Sequence, residues 1–347
     1  MADSYFLKLK AETPTRLWVN NPTVPETEAA LANGAVSCTT NPTYCANMLK
    51  RDYDYASRVI GACIKEGGSV EAIANRAQQT MAARIMRYFR PVYDRSKGAD
   101  GFVSIQDNPR ADESAQHIIE ESRSYKKLGP NFIVKIPATK AGLAAIETLL
   151  AEGIPVIATE VFGIAQMTAA CEVYKKATVK LKTKPAYFVT HITGIFDEYL
   201  KETTEKQGIN IAPAVLAQAG AAVCRKQYRI MIEQGYPGIM LGGGARNTGH
   251  FTDFVGGAVH ITINWSTAEE ILAQNMKVEE RMSVRTHPAA IDELREKLPD
   301  FRKAWDENGL AVDDFAGYGP VQRFRNQFIR GWDALIGEIE KRKQGKV

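Results

Sequence analysis

Eight short apolar segments, most of them separated by stretches with a helical pattern, restrict the fold of this chain more than any other feature. They are residues 16–20, 35–41, 101–107, 131–137, 155–162, 185–192, 238–244 and 258–264. Short apolar runs rich in β-branched residues are typical of strands buried on both faces, and strands that alternate with helices pair in parallel. Eight such strands in 347 residues favour an α/β fold of the (β/α)8 barrel type.

A doubly wound open sheet is the alternative to the barrel. That fold would normally have a glycine-rich turn after its first strand, and the segment RLWVNNPT has none. Helix signals are clear in the connection TKAGLAAIETLLAEG (139–153), where Thr139 is the predicted N-cap and Gly153 the predicted end. The barrel is therefore the preferred prediction.

Two regions exceed the simple strand–helix repeat. Residues 43–100 have a helical pattern and predict extra helices after the second strand. Residues 275–347 are charged and helical, and predict a C-terminal extension packed on the barrel. Because no Pro/Gly/Ser-rich linker interrupts the chain, we expect residues 1–347 to form a single domain.

Composition excludes several classes of protein. The net charge is only +4 and is scattered, which argues against nucleic acid as a partner. Five cysteines without CxxC spacing predict reduced thiols and a cytoplasmic location. Because no apolar run approaches 18 residues and the N-terminal segment lacks an apolar signal core, we expect no membrane span and no secretion.

Polar residues occur where nearly every predicted strand ends. In a barrel of this type the carboxyl ends of the strands meet at one face and carry the active site. The residues at these ends are Asn20, Thr40, Asn41, Gln106, Asp107, Lys135, Thr159, Glu160, Thr190, His191, Gly244, Arg246 and Asn264. The pattern predicts a polar ring around one lysine.

Lys135, inside the apolar segment NFIVKIPAT, has two interpretations. Its amine could reach solvent from the strand end or pair with a carboxylate such as Glu160. It could instead act as a Schiff-base nucleophile, although an ordinary lysine is only roughly 0.04% neutral at pH 7. Burial among apolar residues disfavours the ammonium and lowers the pKa, so nucleophilic chemistry is compatible with these surroundings.

Several segments together resemble the transaldolase family. They are SCTTNPT (37–43), NFIVKIPATKAGLAAIETLLAEGIPVIATEVFGIAQMTAA (131–170), GGGARN (242–247) and KLPDFRKAWDENGLAVDDFAGYGP (297–320). The resemblance implies a (β/α)8 class I aldolase in which Lys135 condenses with a ketose carbonyl. The iminium accepts electrons when the C3–C4 bond breaks, and a dihydroxyacetone unit stays on the lysine until an aldose or water takes it.

The same resemblance implies the other components of the reaction. The substrates would be an anionic ketose and an aldose, as in the pentose phosphate pathway. No metal or organic cofactor would be needed, and the histidines and cysteines show no metal-ligand spacing. A homodimer is expected only by analogy with the family.

Three positions match substrate-binding or water-binding residues of the family. Asn41 corresponds to the asparagine that binds the dihydroxyacetone hydroxyls, and Thr159 to the threonine that holds a catalytic water. Arg246, two residues after Gly244 in the glycine-rich strand end, corresponds to the phosphate-binding position. Arginine binds oxyanions in bidentate fashion, and the glycine lets the backbone approach the anion.

Other positions depart from the family pattern. Asn20 stands where the first strand usually ends in aspartate, and Gln106 where the third usually ends in glutamate, unless a one-residue slip brings in Asp107. The sixth strand reads THITGI instead of SPFVGR, which puts Thr190 at a serine position and Ile195 at that of a phosphate-binding arginine. The glutamine also gives some likeness to fructose-6-phosphate aldolases.

These departures leave the proton-transfer groups open. Asparagine and glutamine cannot accept a proton as a carboxylate can. His191 is the leading replacement because histidine titrates near neutrality, but strand alternation would turn it, and Glu160, towards the helices. Tyr44 is a weaker candidate. The alternative function is a sugar- or sugar-phosphate-binding barrel that has lost catalysis.

Overall fold

The computed structural model describes residues 4–345, and the outermost residues at both ends of the predicted domain lie outside it. Eight parallel strands form a closed barrel in chain order, with β1 paired to β8. The strands are β1 (Arg16–Asn20), β2 (Ser37–Thr39), β3 (Val103–Gln106), β4 (Phe132–Pro137), β5 (Val156–Val161), β6 (Tyr187–Ile192), β7 (Ile239–Gly243) and β8 (Val259–Ile263). The predicted (β/α)8 barrel is confirmed.

Helices surround the barrel and cover one of its ends. They are α1 (Tyr5–Glu12), α2 (Val24–Ala32), α3 (Tyr44–Arg51), α4 (Tyr53–Lys65), α5 (Val70–Arg95), α6 (Ala115–Ser124), α7 (Lys140–Ala151), α8 (Ile164–Thr178), α9 (Thr193–Gln207), α10 (Pro213–Leu216), α11 (Ala219–Glu233), α12 (Gly249–Thr252), α13 (Trp265–Ala273), α14 (Pro288–Lys297), α15 (Pro299–Trp305) and α16 (Gly319–Lys343), with 3-10 turns at Tyr125–Leu128 and Val312–Asp314. The extra helices predicted after the second strand are α3 to α5.

Helix α7 shows how local sequence sets these boundaries. The Thr139 hydroxyl accepts a hydrogen bond from the Gly142 amide (3.1 Å), which satisfies one of the unpaired donors of the first turn. Gly153 follows the helix with φ +75°, a backbone conformation that glycine adopts without steric cost. Both signals predicted for this helix are therefore confirmed.

The barrel floor is filled by one layer of apolar side chains. This layer consists of Trp18, Val36, Phe102, Ile133, Ile157, Phe188 and Leu241. The Trp18 Nε1 donates to His260 Nδ1 (2.8 Å), so the indole is satisfied inside the floor. Because side chains alternate along a strand, the residue two places after each floor residue points into the space above it. This rule places Asn20, Lys135, Thr159 and Thr190 in the mouth.

The C-terminal extension packs on the barrel through a second apolar cluster. Helices α9, α11, α14, α15 and α16 contribute Phe196, Val223, Leu294, Phe301, Phe324 and Phe328, among others. Helix α16 also contacts α3, α4, α5 and β5. The extension predicted for the last part of the chain is present, and one of its helices passes over the carboxyl ends of the strands.

No helix within residues 4–345 is both long enough and apolar enough to cross a bilayer.

Candidate active site

A cavity of about 470 Å³ opens at the carboxyl ends of the strands. The predicted residues that line it are Asn20, Asn41, Lys135, Thr190, Gly244, Arg246 and Asn264. Thr39 and Thr262 line it from neighbouring strands, and Phe324, Gln327 and Phe328 line it from α16. The polar ring predicted from the strand ends is thus largely one surface, with Lys135 at its base.

Lys135 is buried, with 6% of its surface exposed. Its Nζ donates to Gln106 Oε1 (3.0 Å) and lies 5.2 Å from the centre of the Phe328 ring. Burial lowers the pKa of Lys135 to about 8, although the nearby Glu160 carboxylate opposes the shift. A pKa near 8 leaves roughly 10% of the amine neutral at pH 7, compared with about 0.04% for an exposed lysine. The site therefore supports a nucleophilic amine.

Gln106 connects Lys135 to a buried carboxylate. While its Oε1 accepts from the lysine, its Nε2 donates to Glu160 Oε1 (3.3 Å). The Gln78 side chain donates to the Gln106 carbonyl oxygen (2.5 Å) and supports the end of β3. Burial and the charge of Asp112 raise the pKa of Glu160 to about 8, with Lys135 opposing. Burial therefore favours the neutral form of both the lysine and the glutamate.

The expectation that Glu160 faces the helices is wrong. Strand β5 shifts register against β6 between Ala158 and Val161, and Glu160 has φ +59°. This bulge interrupts the strict alternation of side chains, so Glu160 turns towards Gln106 even though its neighbour Thr159 follows the inward pattern. Nothing in the local sequence signals the bulge.

Asp107 does not replace Gln106. It accepts from the Ser122 hydroxyl (3.1 Å) and from the Tyr125 hydroxyl (2.7 Å), both outside the barrel wall. Burial and the Glu121 charge raise the pKa of Asp107 well above its usual range. The slipped alignment is therefore wrong, and the third strand ends at the mouth with an amide.

Asn20 belongs to a group of amides and hydroxyls on the other side of the cavity. Its Nδ2 donates to Asn264 Oδ1 (2.9 Å), and its Oδ1 accepts from the Thr39 hydroxyl (2.9 Å). Thr39 is also 2.7 Å from the Thr262 hydroxyl. Sequence reasoning missed Thr39 and Thr262, although both lie at inward positions of strands whose floor residues were recognisable as apolar. No charge sits in this group, so it can orient a hydroxyl or a water.

His191 is not in the mouth. Its Nε2 is 3.2 Å from the Gly220 carbonyl oxygen on α11, and burial lowers the pKa of His191 to about 3. A neutral imidazole facing the outer helices cannot exchange protons with Lys135, so the suggested catalytic histidine is a structural residue. Tyr44 also faces away from Lys135, because its hydroxyl donates to the Pro22 carbonyl oxygen (3.0 Å).

Three residues leave polar groups available around the lysine. Thr159 and Thr190 are buried, and no residue in the described part of the chain forms a hydrogen bond with either hydroxyl. Asn41 is fixed at the cavity wall because its Oδ1 accepts from the Thr43 amide (3.0 Å) and the Thr43 hydroxyl (2.6 Å). These placements agree with roles in holding a polyhydroxylated ligand.

Arg246 lies at the rim and is already paired. Its Nε donates to Glu198 Oε1 (2.8 Å), and its backbone amide donates to His250 Nδ1 (2.9 Å). Gly244 has φ +68°, and a Cβ at Gly194 would lie 2.4 Å from the Gly244 carbonyl oxygen. The glycines therefore bring this loop close to α9.

The other residues around the expected anion-binding position also differ from the family pattern. Ile195 is fully buried in the apolar cluster of the extension and cannot contact a ligand charge. Arg323 on α16 approaches the same rim and pairs with Glu198 (3.3 Å) and Glu202 (2.5 Å). The rim thus has arginines, but carboxylates offset their charge. Arg323 could not be anticipated, because only the fold brings α16 to this loop.

Comparisons with known proteins agree with this architecture. The protein-family model "Transaldolase/Fructose-6-phosphate aldolase" matches residues 17–311. A transaldolase of Mycobacterium ulcerans (strain Agy99) is 29% identical over 205 residues, which cover 56% of this chain and 54% of that protein. A transaldolase of Arthrobacter sp. (strain FB24) is 30% identical over 210 residues, which cover 57% of this chain and 55% of that protein. The chain therefore spans about half the length of the curated relatives it matches.

The family match extends over most of the chain and includes the barrel, Lys135 and the loop of Arg246. This chain belongs to the transaldolase/fructose-6-phosphate aldolase family.

Proposed function

We propose that the protein is a Schiff-base enzyme of transaldolase or aldolase type that cleaves or forms the C3–C4 bond of a ketose. The buried Lys135 carries the proposal, since a lysine with a lowered pKa at the base of a polar cavity is suited to attack a carbonyl. Family membership supports the same chemistry. A ketose donor and an aldose acceptor would be the substrates, as in pentose phosphate metabolism, and the five buried free cysteines support the cytoplasm as its compartment.

The proposed reaction begins with attack of the neutral Lys135 amine on C2 of the ketose. Uptake of one proton and loss of one water leave an iminium. When the C3–C4 bond breaks, its electron pair is delocalised from C3 to the iminium nitrogen. The C4 hydroxyl loses its proton and becomes an aldehyde, while a dihydroxyacetone unit remains on Lys135.

The surrounding side chains have separate roles in this proposal. Gln106 holds the amine, and Asn41 and Thr190 bind hydroxyls of the dihydroxyacetone unit. Thr159 holds a water near the imine. Because Asn20 cannot accept the C4 proton itself, it would orient a water that does so, together with Thr39. Arg246, approached through Gly244, binds the anionic end of the sugar.

Trapping experiments test the covalent step. Incubation with fructose 6-phosphate and sodium cyanoborohydride should add a dihydroxyacetone-sized or sugar-sized group to the peptide that contains Lys135. Lys135→Ala should abolish the adduct, whereas Lys140→Ala, which removes an exposed lysine of α7, should leave it unchanged. If ketoses of several lengths give no adduct at Lys135, the Schiff-base mechanism is wrong.

A sugar-binding barrel without catalysis is the second candidate. The observation that favours it is the replacement of both expected carboxylates by Asn20 and Gln106, because a general base contributes roughly 10²–10⁴ to a rate. Calorimetry separates the two functions. A binding protein would keep its ketose affinity in Lys135→Ala and would release no aldose in either form.

A further inference from the structure

We propose that Glu160 is the proton-transfer group that serves Lys135, in place of the carboxylate missing at Gln106. This inference rests on the proposed Schiff-base function and adds a residue to it. The starting observation is the chain of hydrogen bonds from Lys135 Nζ to Gln106 Oε1 (3.0 Å) and from Gln106 Nε2 to Glu160 Oε1 (3.3 Å). Gln106 occupies the position where the family usually has a carboxylate. The Glu160 carboxylate lies one hydrogen bond beyond it.

The backbone at Glu160 is strained. A glutamate with φ +59° lies in the left-handed region, which is sterically unfavourable for a residue with a Cβ. Such strain persists where the surrounding structure enforces it, and it concentrates at functional sites. Without the bulge, alternation would place a charged side chain against the apolar inner faces of the helices.

Gln166 on α8 holds the strained segment. Its Nε2 donates to the Glu160 carbonyl oxygen (3.1 Å), and its Oε1 accepts from the amides of Phe162 (2.9 Å) and Gly163 (3.2 Å). One buried side chain thus satisfies one backbone group in the bulge and two just after the strand. The bulge is therefore a well-supported feature of the fold.

Glu160 keeps one oxygen unused. Its surface is 1% exposed, and neither a donor nor an acceptor in the described part of the chain reaches Oε2. Burying an ionised carboxylate with an unsatisfied oxygen costs more than burying the neutral acid. The environment consequently favours the carboxylic acid, whose proton on Oε2 is free to bind an incoming water or substrate hydroxyl.

Four groups from separate elements set the charge around Glu160. Lys135 comes from β4 and Gln106 from β3, while Asp112 lies in the connection to α6 and Arg325 on α16. Arg325 Nε donates to both oxygens of Asp112 (2.8 and 3.1 Å) and offsets part of the Asp112 charge. Of the two cations, Lys135 lowers the pKa of Glu160 more than Arg325 does.

Lys135 and Glu160 together balance the chemistry of imine formation without an outside acid. The neutral Lys135 amine adds to the ketose C2, and the C–N bond forms. Glu160 gives its proton, directly or through one water, to the departing C2 hydroxyl, which leaves as water. The products are one iminium and one Glu160 carboxylate, so the net charge of the site is unchanged and the carboxylate becomes the counter-ion. Imine hydrolysis runs the same steps backwards.

The test measures how fast the Lys135 adduct forms with dihydroxyacetone and cyanoborohydride between pH 5 and pH 10. In the parent protein the rate should pass through a maximum. It falls in acid because Lys135 becomes protonated, and in alkali because Glu160 loses its proton. Glu160→Gln keeps the size of the side chain but has no acid to give. Its rate at pH 7 should drop roughly 10²–10⁴-fold, the usual contribution of a general acid, and the alkaline decline should disappear.

Matched variants keep the result interpretable. Glu147→Gln makes the same chemical change on the outer helix α7 and should leave both rate and pH profile unchanged. If Glu160→Gln does not fold, judged by circular dichroism, Glu160→Asn is the second variant, because asparagine accepts a left-handed backbone more readily.

The possible results distinguish a failure of the role proposed for Glu160 from a failure of the proposed Schiff-base function. A parent protein that forms no adduct contradicts the Schiff-base function. A folded Glu160→Gln protein that forms the adduct within about threefold of the parental rate, with the same pH profile, overturns the role of Glu160 alone. A slow adduct at the same Lys135, without the alkaline decline, supports both.

Discussion

Two amides stand in the mouth where carboxylates would be expected, and they have different surroundings. Asn20 lies in an uncharged group with Thr39 and Asn264, whereas Gln106 links the amine of Lys135 to Glu160. One side of the cavity is therefore neutral, and the other holds a lysine and a glutamate in contact through an amide. Proton transfer belongs on the second side.

Glu198 is the carboxylate that contacts both arginines of the proposed anion site. It pairs with Arg246 and with Arg323, and all three side chains are partly exposed. Glu198→Gln should free Arg246, remove one of the two ion pairs of Arg323 and lower the KM for fructose 6-phosphate about 2–5-fold, a modest gain because exposed ion pairs are worth only about 0–1 kcal/mol. The KM for unphosphorylated fructose should not change. Steady-state kinetics with both sugars measures the difference.

Glu202→Gln is the control for this prediction, because Glu202 pairs with Arg323 and not with Arg246. It should have the smaller effect. Equal KM values for fructose 6-phosphate in the parent and in Glu198→Gln would show that these arginines do not bind the sugar phosphate.

At the scale of secondary structure, the strands were predictable and their irregularities were not. Apolar runs bounded by polar residues located the eight strands because burial on both faces demands such a composition. Alternation then placed Lys135 and Thr190 inward and His191 outward. The bulge that turns Glu160 could not be predicted, because it depends on the match between β5 and β6 and on Gln166.

Helix α16 was predicted as a helix, but its position over the mouth was not derivable from its own sequence. Phe324 and Phe328 have the spacing of any buried helical face, which does not say what they cover. Their partners include residues more than a hundred positions away, such as Phe162 and Lys135. The contribution of α16 to the site is therefore a property of tertiary packing.

Phe328 should help keep the pKa of Lys135 low, since its ring covers the amine. In Phe328→Ala water reaches Nζ, so the ammonium is better solvated and the pKa rises. Each unit of increase lowers the neutral fraction at pH 7 about tenfold. The acid side of the pH profile for adduct formation with cyanoborohydride should move to higher pH.

Leu335→Ala is the matched control, because Leu335 is buried on the same helix but does not line the cavity. Both variants should lose stability, by about 3–5 kcal/mol for the phenylalanine and about 2–5 kcal/mol for the leucine. Only Phe328→Ala should alter the pH profile. If the pH profile moves in both variants, or in neither, Phe328 does not shield the lysine.

For the whole molecule, the extension and the barrel share apolar surface in a way that favours joint unfolding. Helix α16 contacts three of the helices inserted after β2 as well as β5, and its Trp332 is buried. Separating α16 would expose that tryptophan together with Phe324 and Phe328. We propose that residues 4–345 behave as one domain.

Urea unfolding tests this proposal with two tryptophan reporters. Trp18 lies in the barrel floor and Trp332 on α16. Because the chain has four tryptophans, two variants each keep only one of them, Trp18 or Trp332, and have phenylalanine at the other three positions. In each variant, tryptophan fluorescence and far-ultraviolet circular dichroism should give one transition with the same midpoint. An early transition that reports only the α16 side would show that the extension unfolds separately.

The filled barrel floor has a consequence for the order of events in turnover. Trp18, Phe188 and their neighbours close the barrel beneath Lys135, so substrates approach the amine from the mouth, where α16 already occupies part of the space. If the protein transfers the dihydroxyacetone unit as we propose, a donor ketose and an acceptor aldose would use the same volume in succession. The first aldose would leave before the second enters, which is a ping-pong sequence, and a high concentration of acceptor would compete with the donor for the unmodified lysine.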